Sequence, residues 1–92
     1  MSLRIAIFDD NKNIRDSISL LLNTVPDFEV VGLFSHGLDC VQDVRSCKPD
    51  VVLMDIEMPG ITGIEAVKAL RKEMPHIQIL MQTVFEDEKK NI

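Results

Sequence analysis

The ten residues VVLMDIEMPG, numbered 51–60, decide the fold of this chain. Their first four residues are apolar, which is typical of a short strand buried on both faces in the interior of a parallel sheet. The run ends at Asp55, and the Pro59-Gly60 pair that follows favours a tight loop. A carboxylate at the tip of a buried strand is unfavourable unless something binds to it. Asp55 is therefore the first candidate for a functional residue.

The same alternation of strand and helix extends to both sides of this stretch. Apolar runs predict strands at residues 3–8, 28–33, 51–54 and 77–81. Helical spacing predicts helices from residue 11 or 12 to 24, at 38–47, and from 62 or 63 to 73. A polar stretch from Glu86 is the expected start of a fourth helix. Short connections in a β-α-β-α-β-α-β order predict a doubly wound α/β fold around a parallel sheet.

Size and composition narrow the class of protein. The chain has 92 residues, which suggests one domain, and it is 46% hydrophobic with a net charge of −5. An acidic chain is not expected to contact nucleic acid, which requires clustered Lys and Arg. No apolar run approaches the roughly 20 residues of a membrane span, and no signal peptide is evident. Cys40 and Cys47 lie about 10 Å apart on one predicted helix, so we expect reduced thiols in the cytoplasm.

Acidic residues follow two strands that should be neighbours. In a sheet of order 2-1-3-4-5, ligands bind beyond the carboxyl ends of the strands, where the order reverses. Asp9 and Asp10 end strand one and Asp55 ends strand three, so the three carboxylates should converge. Like charges at close range repel unless they are protonated or bridged by a cation, and an all-oxygen site suits Mg²⁺. A carboxylate with one free oxygen could also attack phosphorus.

Each of these residues also has an ordinary structural interpretation. A single Asp after a strand is usually a helix cap or a turn former. Thr83, after strand four, could be a helix N-cap, although its hydroxyl could equally donate to a phosphoryl oxygen on Asp55. Three aspartates and a threonine at the tips of adjacent strands favour a functional site over separate turns.

Together these residues resemble a known family. The acidic pair after strand one, the motif DIEMPGITGIEAV at residues 55–67 and Thr83 resemble the receiver domain of bacterial two-component response regulators. The resemblance covers the whole chain, residues 1–92, and is strongest at residues 50–70. It implies a flavodoxin-like (βα)5 fold that accepts a phosphoryl group from a histidine kinase onto an aspartate.

The resemblance also implies a role for each motif residue. Asp55 would be the phospho-acceptor, Asp9 and Asp10 would bind Mg²⁺ together with Asp55, and the backbone carbonyl of Glu57 would complete the ligands. Thr83 would be the switch hydroxyl, drawn inward on phosphorylation so that the following loop and helix shift. Such a protein is a self-phosphorylating switch rather than a turnover enzyme.

The family pattern extends further than these 92 residues. It implies a fifth strand, whose end carries a lysine, and a fifth helix, so the expected order within this chain is 2-1-3-4. We expect an output domain beyond Ile92, and the loop sequences resemble receivers that precede helix-turn-helix transcription factors, which would make it DNA-binding. Without strand five, strand four is an apolar edge. We favour a fragment of a longer protein over a deliberately shortened chain or a homodimer that swaps strands.

Three alternatives remain at this point. The chain could be an inactive receiver fragment that serves only as an interaction or structural module. A phosphotransferase of the haloacid-dehalogenase class would need Asp-x-Asp after strand one, where this chain has Asp9 followed two residues later by Asn11. A dinucleotide-binding domain would need a glycine-rich turn at the same place, and the acidic pair would repel pyrophosphate.

Overall fold

The chain forms an α/β fold with four strands and three helices. The structure is a computed structural model that describes residues 2–82. The strands are β1 (Leu3–Phe8), β2 (Phe28–Phe34), β3 (Val51–Asp55) and β4 (Gln78–Gln82). The helices are α1 (Lys12–Leu22), α2 (Cys40–Cys47) and α3 (Gly63–Glu73).

All four strands are parallel and lie in the order β2-β1-β3-β4. The predicted order is therefore confirmed, with the chain reversing direction across the sheet between β1 and β3. Phe8 pairs with Met54, and Asp55 pairs with Gln82, so the carboxyl ends of β1, β3 and β4 lie at one edge. That edge is where a doubly wound sheet binds its ligands.

Helices cover both faces of the sheet. Ala6 and Phe8 belong to a core cluster that includes Val44 of α2 and Leu70 of α3, and all four side chains are fully buried. Because side chains alternate along a strand, Ile5 and Ile7 point to the opposite face, where α1 packs against β1 and β2. The two apolar faces hold the central strands in place beneath the acidic edge.

The helix starts are set by local hydrogen bonds. Asn11 caps α1 by accepting a hydrogen bond from the backbone N–H of Ile14. Thr62 caps α3 in a capping box, since its hydroxyl accepts from the N–H of Glu65 and its own N–H donates to the Glu65 carboxylate. This box fixes where α3 begins, eight residues of chain after Asp55 leaves the sheet.

Several details differ from the sequence predictions. Helix α1 ends at Leu22 and not at residue 24, while β2 and β3 each run one residue further than predicted, to Phe34 and Asp55. Helix α2 begins at Cys40, not at residue 38, because the Cys40 N–H closes a turn onto the Gly37 carbonyl and leaves the Leu38 side chain exposed. Strand β4 begins one residue late because the Ile77 N–H bonds to the carbonyl of Met74 at the helix end. Leu21 of α1 is apolar yet exposed within the described residues, where α1 contacts strands β1 and β2.

Strand β4 carries exposed apolar side chains, as the sequence indicated. Leu80 is 59% exposed and Met81 is 40% exposed. The predicted fourth helix and Thr83 lie outside the described residues. Within residues 2–82, no helix has the length and apolar character needed to cross a bilayer.

Candidate functional site

Three carboxylates meet at the carboxyl edge of the sheet. One oxygen from each of Asp9, Asp10 and Asp55 lies within 4.8 Å of the others. Asp9 is 1% exposed and Asp55 is 7% exposed, while Asp10 is open to solvent. The cluster therefore has two buried oxygen donors and one open side, which is a geometry that a small hard cation could occupy while keeping some of its water.

Asp9 is held by several donors. The Asn11 backbone N–H donates to its Oδ1 at 2.8 Å, and the Gln82 side-chain Nε2 donates to its Oδ2 at 3.1 Å. Its main-chain carbonyl also accepts a hydrogen bond from Arg15 Nη1 at 2.7 Å. The bonds from Asn11 and Gln82 satisfy a carboxylate that would otherwise be buried without partners, and the Arg15 bond satisfies the main-chain carbonyl. These bonds also fix the orientation of the carboxylate toward the other two acids.

The pKa of the Asp55 carboxyl is raised by its surroundings. Burial raises its pKa to about 6, and the neighbouring charge of Asp9 adds to this rise. A hydrogen bond from the backbone of Glu57 opposes the shift, whereas Asp10 raises the pKa further through a side-chain hydrogen bond and its charge. Burial and the neighbouring negative charges both disfavour the ionised form of this carboxyl, so a cation beside it would stabilise that form.

The loop after Asp55 is shaped by glycines. Gly60 has φ of 86°, a left-handed conformation that a glycine adopts without strain. Gly63 is buried at the first turn of α3, where its N–H donates to the Ile56 carbonyl at 2.7 Å. A Cβ at Gly63 would overlap the carbonyl oxygen of Asp55. The close approach of α3 to the end of β3 therefore depends on a residue with no side chain.

The structure brings together Asp9, Asp10 and Asp55 among the residues singled out from the sequence. Glu57 is exposed, and its backbone bonds to the Asp55 carboxyl; its carbonyl remains only a predicted ligand. Thr83 lies outside the described residues, so its role as switch hydroxyl also stays a prediction.

Two contributors to the site were missed from the sequence. Arg15 and Gln82 both bond to Asp9, from α1 and from the end of β4 respectively. The sequence does point to Gln82 as a candidate site residue, since it is a polar amide between the apolar residues of strand four and Thr83. Arg15 gave no such signal, because a cation on an amphipathic helix is ordinarily a solvated surface residue.

The donor set fits Mg²⁺ in its chemistry. All three side chains offer oxygen, and magnesium favours a few carboxylates together with retained waters. There is no sulfur or imidazole within this cluster of three, as a site for zinc would ordinarily contain. The open side at Asp10 leaves room for a ligand that carries its own oxygens.

Comparison with known protein families places nearly the whole chain in one family. The family model described as "Response regulator receiver domain" matches residues 5–92. Response regulator GacA of Pseudomonas aeruginosa is 38% identical over 86 residues, covering 94% of this chain and 40% of the relative. Response regulator protein VraR of Staphylococcus epidermidis is 36% identical over 90 residues, covering 98% of this chain and 43% of the relative. The chain thus spans less than half the length of these relatives.

Solved structures give the same picture of the fold. The response regulator domain of Thermotoga maritima CheB superposes with a TM-score of 0.85 at 35% identity, covering 90% of this chain and 61% of that one. A DNA-binding response regulator of the LuxR family from Staphylococcus aureus superposes with a TM-score of 0.82 at 32% identity, covering 91% of this chain and 70% of that one.

Proposed function

This chain belongs to the response regulator receiver domain family, and on that premise we propose that it is a phospho-accepting switch. A histidine kinase transfers a phosphoryl group to Asp55 in a step that depends on Mg²⁺. The observation that carries this proposal is the meeting of the Asp9, Asp10 and Asp55 oxygens within 4.8 Å at the edge of the sheet. Three acids this close, two of them buried, are best explained by a cation.

Each acidic residue of the cluster has its own proposed role in binding the cation. Asp9 is fixed by its hydrogen bonds and would present an oriented carboxylate to the cation, while exposed Asp10 would bind it from the solvent side. Asp55 contributes one oxygen, and the backbone carbonyl of Glu57 is the further proposed ligand. A Mg²⁺ ion held by these residues would supply positive charge that offsets the negative charge of the phosphoryl oxygens during transfer.

Asp55 is suited to accept the phosphoryl group. Without a cation, burial raises its pKa to about 6, so it is still mostly ionised at neutral pH, and an ionised carboxylate is the form that can attack phosphorus. One carboxylate oxygen forms a bond to phosphorus while the bond from phosphorus to the imidazole nitrogen of the kinase breaks, and the imidazole keeps that electron pair. The product is an aspartyl phosphate on the protein itself, so the protein is a signalling switch rather than a turnover enzyme.

The switch is proposed to act through the end of β4. Thr83, the next residue along, would bond to the phosphoryl group and move the loop that follows, altering the surface beside β4. Residues 1–92 then form the receiver part of the protein, and an output domain beyond Ile92 reads that change. We propose a transcriptional output because one similar structure is a DNA-binding response regulator. The proposed location is the cytoplasm, whose reducing conditions suit the free thiols of Cys40 and Cys47.

Intact-mass measurement after incubation with a small phosphodonor tests the proposal. We expect one phosphoryl group per chain when Mg²⁺ is present and none when a chelator removes it. Asp55→Asn should abolish the addition, because an amide oxygen is a far weaker nucleophile. Asp39→Asn, which alters an exposed aspartate before α2, serves as the matched control and should be labelled like the wild type.

An unchanged mass in folded wild-type protein would contradict the proposal and favour the inactive interaction module. Labelling that persists in Asp55→Asn would also count against it, since the acceptor would then lie elsewhere.

A further inference from the structure

Gln82 links the end of β4 to the acidic cluster. It is the last residue of β4, and its Cα pairs with that of Asp55 across the sheet. Its side chain is half-buried and reaches past β3, so that Nε2 donates to Asp9 Oδ2 at 3.1 Å. Its main-chain carbonyl accepts from the Ile56 N–H at 3.3 Å. One residue thus contacts both a proposed cation ligand and the segment that follows the proposed phospho-acceptor.

The two carboxylate oxygens of Asp9 accept hydrogen bonds from different donors, and Gln82 is one of them. Asp9 Oδ1 accepts from the Asn11 backbone at 2.8 Å, and that bond comes from the loop directly after β1. The Asn11 bond therefore holds one carboxylate oxygen, and the Gln82 bond holds the other. With both donors in place, its plane is fixed from two sides. An uncharged amide is also a suitable donor here, because it adds no further negative charge to three crowded acids.

We infer that Gln82 is a positioning residue for the cation site, acting through Asp9. This inference rests on the proposed function, because it assumes that Asp9 binds Mg²⁺. Donors that hold a ligating carboxylate commonly tune metal affinity as strongly as some ligands do. Gln82 directly precedes Thr83 in the chain, so the proposed positioning residue and the proposed switch residue are neighbours in sequence.

The decisive test is Mg²⁺ affinity measured by isothermal titration calorimetry. Gln82→Met keeps the length of the side chain and removes the donor, whereas Gln82→Asn keeps the amide and makes it too short to reach Asp9. Both should bind Mg²⁺ about 10-fold more weakly than the wild type. Gln78→Met makes the same chemical change at the exposed start of β4 and should leave the affinity unchanged.

A second measurement reports on Gln82 itself. The side-chain amide signal of Gln82 in ¹⁵N NMR spectra, assigned by its loss in Gln82→Met, should shift when Mg²⁺ is added to the wild type. The shift should be absent in Asp9→Asn, since the Gln82 amide then no longer donates to a carboxylate that binds Mg²⁺. A residue that only filled space in the strand would change stability without producing this response.

The outcomes separate this inference from the function on which it depends. Wild-type binding with equal affinity in Gln82→Met and Gln82→Asn overturns the positioning role and leaves the proposed function standing. A loss of affinity of the same size in Gln78→Met also overturns it, because the effect would then belong to the strand in general. If the folded wild type binds no Mg²⁺, the proposed function fails and the positioning role falls with it.

Discussion

Gly63→Ala is expected to destabilise the protein by at least about 3 kcal/mol. The Cβ of an alanine would overlap the Asp55 carbonyl oxygen, which is backbone and cannot rotate away. Relief requires α3 to move away from the end of β3, which breaks the bond from the Gly63 N–H to Ile56 and loosens the buried contacts of Ala66 and Leu70. Urea unfolding of the two proteins measures the change in the free energy of unfolding.

Gly37→Ala is the matched control for this prediction. Gly37 is also buried, but a Cβ there would meet only side-chain atoms, with Met58 Cε nearest at 3.3 Å. Methionine adapts easily, so the cost should stay below about 1 kcal/mol. Equal midpoints for Gly63→Ala and the wild type would show that α3 does not approach β3 as closely as described.

Asp55→Asn is expected to stabilise the cation-free protein at pH 7.5 by about 2 kcal/mol. Burial and the charge of Asp9 raise the pKa of Asp55 to about 6 in the folded state, above the value of 3.8 for an unperturbed aspartate. The folded protein therefore holds this proton more tightly than the unfolded chain. That contribution to stability is fully present below about pH 4 and is lost as the pH rises through 6. The asparagine carries no charge to bury.

The pH dependence distinguishes this effect from a simple change in packing. Urea unfolding in the presence of a chelator should show the advantage of Asp55→Asn at pH 7.5 and almost none at pH 4. Asp27→Asn, which alters an exposed aspartate at the opposite end of the sheet, should show little difference at either pH. An advantage of the same size at both pH values would mean that charge at Asp55 is not its cause.

Much of the fold could be predicted from the apolar runs and from the turn and capping residues that separate them. Residues 51–54 are apolar throughout, and they form the interior strand that such a run predicts. Thr62 and Glu65 indicate the start of α3 in the sequence itself. They form a capping box, which is a local arrangement of side chains and backbone. The order of the strands came from the flavodoxin-like pattern that the motif residues imply, because the alternation of strands and helices alone allows other doubly wound orders.

Features that depend on distant contacts could not be predicted in the same way. Leu38 fits the apolar pattern of α2, yet a turn hydrogen bond between Gly37 and Cys40 delays the helix. Gly63 could be read as an ordinary turn glycine, whereas its actual constraint is the Asp55 carbonyl against which it packs. The bond from Gln82 to Asp9 joins residues 73 positions apart, and no local pattern encodes such a contact.

The central claim is that Asp9, Asp10 and Asp55 share one divalent cation, and paramagnetic Mn²⁺ tests it most directly. Manganese favours the same oxygen ligands as magnesium, and it broadens the NMR signals of nearby nuclei steeply with distance. At low Mn²⁺, we predict that amide signals of Asn11 and Glu57 disappear first and return when excess Mg²⁺ is added. Amide signals at the far end of the sheet, such as that of Asp27, should persist. Broadening that is centred elsewhere, or that excess Mg²⁺ does not reverse, would contradict the account.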